Sequence, residues 1–398
     1  MNDINQSLSA QSNAALVEFD CLACKVRLRV DANLAGKQAK CPQCGQVISV
    51  PNSPAPSANN HPDSSRVVAS RPALDAKQEL LAEVLDTPQM SRDLRGTRVD
   101  GADTATRQLY QRISAEVAKI FVGQDDLVLG SLVALFSGGH VLIESVPGLG
   151  KTLFVRTLGK ILGCQFGRIQ FTADLMPSDI TGAPVFNMKT QEFDFRPGPV
   201  FTQLLLADEI NRSPAKTHAA LLEIMQEKHV TVDGTTHELV LPFLVMATQN
   251  PIESEGTYNL PEAQLDRFMF KLVADYPTEE QEEAILQMHG GQTGINHRLE
   301  NEIQQITNPA EILSVTQASA QVRIDPLLVA YINQIVRLTR RWPQFYLGAS
   351  PRAGIGLMQG ARTMAAFYGR DFAVPDDVVQ LALPSLRHRV TLTAEAEV

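Results

Sequence analysis

An apolar run, His140 to Glu144 (HVLIE), leads straight into Ser145-Val-Pro-Gly-Leu-Gly-Lys-Thr152, and a second, Phe201 to Ala207, ends in Asp208 and Glu209. A strand buried on both faces reads as a continuous apolar run, and ligands of open α/β sheets bind outside the carboxyl ends of such strands. These segments therefore predict a doubly wound parallel sheet with a phosphate cradle at one edge. The loop departs from G-x-x-x-x-G-K-[ST] at its first position, where Ser145 replaces glycine, while Gly148, Gly150, Lys151 and Thr152 are intact. Amides from Gly148 through Leu149 to Thr152 can cradle phosphate at a helix N-terminus. Lys151 neutralises β/γ charge, and Thr152 supplies a Mg²⁺ ligand. Phe154, Leu158, Ile161 and Leu162 recur at helical spacing, as a helix packed on a sheet requires.

Two carboxylates ending an apolar strand need a cation or a reaction to justify them. Asp208 is assigned to the Mg²⁺ shell and Glu209 to polarising an attacking water. A further apolar run, Phe243 to Asn250 (FLVMATQN), ends in an amide that can position that water, or in an ordinary end-of-strand turn residue. ATP, Mg²⁺ and hydrolysis follow as the expected chemistry. Gln170, on the strand-like GRIQF, reads first as a polar strand residue and second as a switch for Glu209. Arg212 is open between contacting nucleotide and contacting a neighbouring subunit.

The chain has 398 residues and a formal charge of −9, which argues against a body that coats nucleic acid or anionic membrane. No apolar run approaches the length of a spanning helix and no secretory leader is evident, so a cytoplasmic location without membrane insertion is expected. Four of five cysteines form Cys21-x2-Cys24 and Cys41-x2-Cys44, with residues 25 to 40 between the pairs. That spacing predicts a structural zinc site, closed by four thiolates and supplying most of the folding free energy of a module with little core. Its surface reads as a protein-docking module; Lys25, Arg27, Arg29, Lys37 and Lys40 leave a nucleic-acid grip as the alternative. Cys164 reads as a buried thiol. The expected division is a zinc ribbon over 16–50, a flexible linker over 51–105, an α/β ATPase domain over 106–276 and an all-α lid over 277–398. A short helix is expected within Leu74 to Leu85 of the linker.

The ordered set VGQ, SVPGLGKT, FTADLMPSDITG, RPGPVF, LLLADEINRSPAKTHAALLEIMQE, ATQNP, LPEAQLDRF and SPRA resembles the MoxR family of AAA+ ATPases over roughly Thr106 to Arg389. The resemblance implies a nucleotide sensor at Asn250, an arginine finger at Arg267 acting on the neighbouring subunit's nucleotide, a second sensor at Arg352 and a homo-oligomeric, usually hexameric, ring. Val122, Gly123, Pro147 and Leu153 complete the candidate nucleotide contacts. It also implies chaperone-like remodelling of a protein partner, often a von Willebrand factor A-domain protein; a nucleic-acid-directed motor is the alternative. It covers neither the cysteine module nor the linker.

The residues alone say less about the arginines. Ser350 and Pro351 predict a helix N-terminus that would let Arg352 reach a phosphate across a domain cleft. Arg267 reads either as a finger or as an ion-pair partner of its neighbour Asp266. Alternation over Thr190 to Phe201 and His229 to Leu241 predicts hairpins inserted into the body. Arg387-His388-Arg389 reads most simply as the cationic close of a helix.

Overall fold

The structure is a computed structural model that describes residues 16–20, 27–31, 36–41, 44, 47–49, 100–146, 148–250, 258, 260–290 and 294–396. The chain divides into two units, 1–87 and 88–398. In the first, β1 (Leu16–Asp20) pairs antiparallel with β2 (Arg27–Asp31), and β3 (Gln38–Lys40) with β4 (Val47–Ser49). Asp20 pairs with Arg27 and Lys40 with Val47, so in sequence each cysteine pair falls between two paired strands. Cys41 is buried and Cys44 exposed, while Cys21, Cys24, Pro147 and the helix expected within Leu74 to Leu85 lie outside the described residues.

The second unit opens with α1 (Ala105–Ala118), whose Thr104 cap accepts the Arg107 amide, and α2 (Asp125–Phe136). β5 (Val141–Ser145), α3 (Lys151–Leu162) and β6 (Phe166–Gln170) follow; α3 buries Phe154, Leu158, Ile161 and Leu162 and stops at Gly163, φ 62°. After α4 (Pro177–Thr181), β7 (Gly182–Asn187) and β8 (Glu192–Pro197) form a hairpin whose first arm lies upstream of the alternation seen in the sequence. β9 (Leu204–Asp208), α5 (Ala215–Glu227) and the hairpin β10 (His229–Val232) to β11 (Thr235–Glu238) come next. β12 (Leu244–Gln249), α6 (Glu262–Leu265) and β13 (Phe270–Ala274) complete the body.

The central sheet runs β13-β5-β12-β9-β6 with every pairing parallel. Its two-residue period sorts each apolar run between two cores. Val141, Ile143, Leu204, Leu206, Leu244 and Met246 face one cluster; Leu142, Leu205, Ala207, Val245 and Ala247 face the other. That two-sided burial is why the strands read as unbroken apolar runs. The two inserted hairpins meet through a Phe195–His237 stack at 3.9 Å, and the tip of the first leaves Met188 and Phe193 largely exposed.

The lid comprises α7 (Glu279–His289), α8 (Ile295–Glu302), α9 (Pro309–Ala320), α10 (Pro326–Thr339), α11 (Pro351–Phe367) and α12 (Pro375–Leu386). It is not purely helical, because β14 (Phe345–Leu347) pairs with β15 (Thr391–Leu392). Nor does it hold a separate core: Ile312, Ile332, Leu357 and Leu381 join the cluster formed by α1, α2 and α3. Lys160 of α3 donates to the Leu299 carbonyl at 2.7 Å, tying the phosphate-loop helix to the lid. Among the described residues no helix is long and apolar enough to cross a membrane.

Candidate functional site

Parallel strands end together, so β5, β6, β9 and β12 deliver their last residues to one edge. Gln170 lies opposite Asp208, and Glu144 opposite Gln249. Asp208 is 8% exposed, and each of its carboxylate oxygens has a hydrogen-bond partner. Thr248 Oγ1 donates to Oδ1 at 2.6 Å, and Arg168 Nη2 pairs with Oδ2 at 2.7 Å. Glu209 leaves the strand in the left-handed region, φ 55° and ψ 49°. A non-glycine residue there costs free energy and needs its surroundings to hold it. Its N–H donates to Thr248 Oγ1 at 2.9 Å, and its Oε2 accepts from Gln170 Nε2 at 2.8 Å and pairs with Arg212 Nε at 3.1 Å. The polar strand residue Gln170 thus touches Glu209, and Arg212 finds a partner within its own chain. Thr248, which bridges both acids, carried no signal in the sequence beyond its place in an apolar strand.

Opposite the acids, the glycine loop turns through Gly148 (φ 88°) and Gly150 (φ 72°), backbone conformations that a side chain would strain. A Cβ built on Gly148 meets nothing within 4 Å, so the loop faces open space. Gly150 caps α3 without any side-chain hydrogen bond, leaving the first helical amides directed into that space. Lys151 is the first residue of α3, with Nζ 3.5 Å from the Ser145 carbonyl, and Thr152 and Leu153 follow, half-buried. The Ser145 hydroxyl is buried and has no hydrogen-bond partner among the described residues. Phe121 stacks on Phe154 at 4.8 Å and lies 3.8 Å from a Cβ built on Gly150, so an aromatic pair flanks the loop. Val122 and Gly123 continue from it; Gly123 has φ 83°, and an added Cβ would meet the Gln281 side chain of α7 at 2.6 Å. This cradle fits a nucleoside triphosphate: open backbone amides, a lysine at the helix start, a threonine hydroxyl and a carboxylate across the gap. Asn250, 9% exposed, follows β12 at the same edge.

Arg267 and Arg352 are elsewhere. β13 starts level with β5, Phe270 opposite Val141, and the Met269 N–H donates to the His140 carbonyl at 2.8 Å. Arg267 therefore lies at the amino edge of the sheet. The five-residue β5 separates that edge from the loop, about 16 Å at roughly 3.3 Å per residue. Among the described residues Arg267 forms no ion pair, so the alternative reading of it as a partner of Asp266 does not hold. Asp266 is taken by Arg389 (Nε–Oδ1 2.8 Å) and by Ser350 Oγ (2.8 and 3.0 Å). Ser350 caps α11 and accepts the Arg352 amide at 3.1 Å, as its sequence predicts. The contact with Asp266 nonetheless sets the first turn of α11, which carries Arg352, against the segment that carries Arg267 at the amino edge of the sheet. Arg387-His388-Arg389 is likewise not a solvated helix close: His388 and Arg389 are both buried.

A parallel sheet with phosphate loop, acidic pair and helical lid defines an AAA+ ATPase. The model of the ATPase family associated with various cellular activities matches residues 140–270, and the AAA lid domain matches residues 337–398. Chaperone MoxR1 of Mycobacterium tuberculosis is 45% identical over 309 residues, covering 74% of this chain and 80% of that protein. The uncharacterized protein YeaC of Bacillus subtilis is 47% identical over 281 residues, covering 71% and 86%. A crystal structure of a candidate ATPase from Cytophaga hutchinsonii superimposes with a TM-score of 0.68 at 42% identity, covering 73% of this chain and 90% of that one. The chain belongs to the MoxR family of AAA+ ATPases.

Proposed function

We propose that this ATPase works as a ring in which each nucleotide site is completed by a neighbouring subunit, and that hydrolysis drives chaperone-like remodelling of a protein partner. One observation carries the ring: the Arg267 segment and the start of the Arg352 helix meet at the sheet edge opposite the phosphate loop of their own chain. Two cations there serve the loop of an adjacent copy more readily than their own. A hexamer is the expected closure. The remodelling role rests on likeness to a relative named as a chaperone, and a von Willebrand factor A-domain partner on the family resemblance.

Bound ATP with Mg²⁺ supplies the phosphoanhydride and the charge neutralisation of its leaving oxygens. Around it, the amides of Gly148 to Thr152 would bind phosphate, Lys151 would offset its charge, and Thr152 and Asp208 would hold the metal. Glu209 accepts a proton from the water that bonds to the γ-phosphorus as the bond to the β–γ bridging oxygen breaks and ADP leaves, and Asn250 orients that water. Gln170 and Arg212 hold the Glu209 carboxylate in the present conformation, so releasing these contacts readies the base. Zinc at Cys21, Cys24, Cys41 and Cys44 is supported by the spacing, each pair falling in the stretch of sequence between two paired strands.

Mixed rings test the proposal. Arg267→Ala chains keep a working loop, and Lys151→Ala chains keep a working finger, so each alone should be nearly inactive and their mixture should recover hydrolysis. Absence of recovery in rings shown by native mass spectrometry to be mixed would overturn action in trans.

A further inference from the structure

Arg389 follows the last lid helix, where a basic residue ordinarily faces water, yet its side chain is 2% exposed. Each of its five N–H groups has an acceptor. Nε reaches Asp266 Oδ1 at 2.8 Å, and Nη2 reaches the carbonyls of Asp266 at 3.0 Å and Phe268 at 2.6 Å. Nη1 reaches the carbonyls of Met269 at 3.0 Å and Ser385 at 2.6 Å. His388 Nε2 adds a second bond to the Phe268 carbonyl at 2.9 Å. The carbonyls of the residues on both sides of Arg267 are thus gripped by the far end of the lid. The same Asp266 carboxylate accepts Ser350 Oγ, the cap of the helix on which Arg352 stands. One carboxylate therefore joins the Arg267 segment to the Arg352 helix, and one guanidinium locks both to the end of α12. Lysine offers three donors from a point charge and cannot reproduce this fork.

We propose that Asp266, Ser350 and Arg389 form a clamp that presents Arg267 and Arg352 as one rigid unit to the neighbouring subunit, with Arg389 as a positioning residue that touches no nucleotide. The clamp rests on the in-trans reading above. Without it the Arg267 segment keeps its strand pairing but loses the contacts that set its approach to the adjacent site. Small misplacement of a catalytic group costs up to on the order of 10²-fold in rate.

The mixed-ring assay separates positioning from folding. Arg389→Lys, or Asp266→Asn as a milder second variant, is placed either on the finger-donating Lys151→Ala chain or on the finger-less Arg267→Ala chain. On the donor it should cut the recovered turnover by roughly 10- to 100-fold. On the acceptor, whose amino edge contributes nothing to the working site, recovery should be retained, and ATP binding to the acceptor loop should be unaltered. Equal losses in both placements would reduce Arg389 to a fold-stabilising residue and overturn the clamp, as would no loss in either. Failure of the parent mixture to recover sinks the in-trans reading itself, and the clamp with it.

Discussion

Thr248→Val probes how the acidic pair is held. Thr248 is wholly buried, donates to Asp208 Oδ1 at 2.6 Å and accepts the Glu209 N–H at 2.9 Å. Valine keeps the shape and removes the hydroxyl. A hydrogen bond to a charged carboxylate contributes about 1.5–3 kcal/mol, and a buried N–H left without an acceptor costs about 1–3 kcal/mol. The two losses share one atom and are not additive, so the expected destabilisation is about 2–4 kcal/mol. The second consequence is catalytic. Glu209 sits in a left-handed conformation that the Thr248 contact helps to hold, and once released its carboxylate should lose its place before the water. Turnover should fall on the order of 10- to 100-fold, while ATP affinity changes little because Gly148 to Thr152 are untouched. Urea titration reads the stability, phosphate release the turnover and calorimetry the affinity, with Thr248→Ser as the control that restores the hydroxyl. A Thr248→Val protein within about 0.5 kcal/mol of the parent and hydrolysing at its rate would refute the bridge.

Lys151→Ala should abolish ATP binding, whereas Glu209→Gln should bind ATP and fail to cleave it; calorimetry showing equal loss of affinity would contradict the assigned roles. Elemental analysis after anaerobic preparation should find zinc at about one equivalent per chain, less than roughly half an equivalent counting against the site, and Cys24→Ser should unfold the ribbon while sparing ATPase activity. Acid should destabilise the body through two buried imidazoles. His140 takes the Val245 N–H on Nδ1 and donates from Nε2 to the Met225 carbonyl, and burial lowers its pKa to about 4; burial likewise takes His388 to about 3. Both fold neutral, so their stabilisation is present above the ordinary imidazole value of about 6.5 and is lost as pH falls towards 4, at up to about 1.4 kcal/mol per pH unit for each. A urea midpoint that stays flat from pH 6.5 to 4.5 would refute this.

Local chemistry made the loop, the acidic strand end and the helix faces legible. Gly148, Gly150, Lys151 and Thr152 are adjacent in the chain, and the order strand, glycine loop, helix admits few folds. The apolar runs at Leu204 and Leu244 announced strands buried on both faces, and both faces are in fact packed. Thr248 and Arg389 were not legible, because their work lies in partners far along the chain. A threonine in a strand and an arginine after a helix are unremarkable until Asp208 and Asp266 are brought within 3 Å.

The same division holds for the two arginines. Sequence alone could identify Ser350-Pro351 as a helix start and could pose Asp266 as a partner for Arg267, since both judgements need only neighbouring residues. Which edge of the sheet they occupy depends on the pairing of Phe270 with Val141, and which cation Asp266 meets depends on how the lid folds back onto β13. Chain-local rules determine elements and their chemistry. The register between strands and the packing of a distant helix decide which phosphate those cations can reach, because that is a question of distance between segments the backbone does not join.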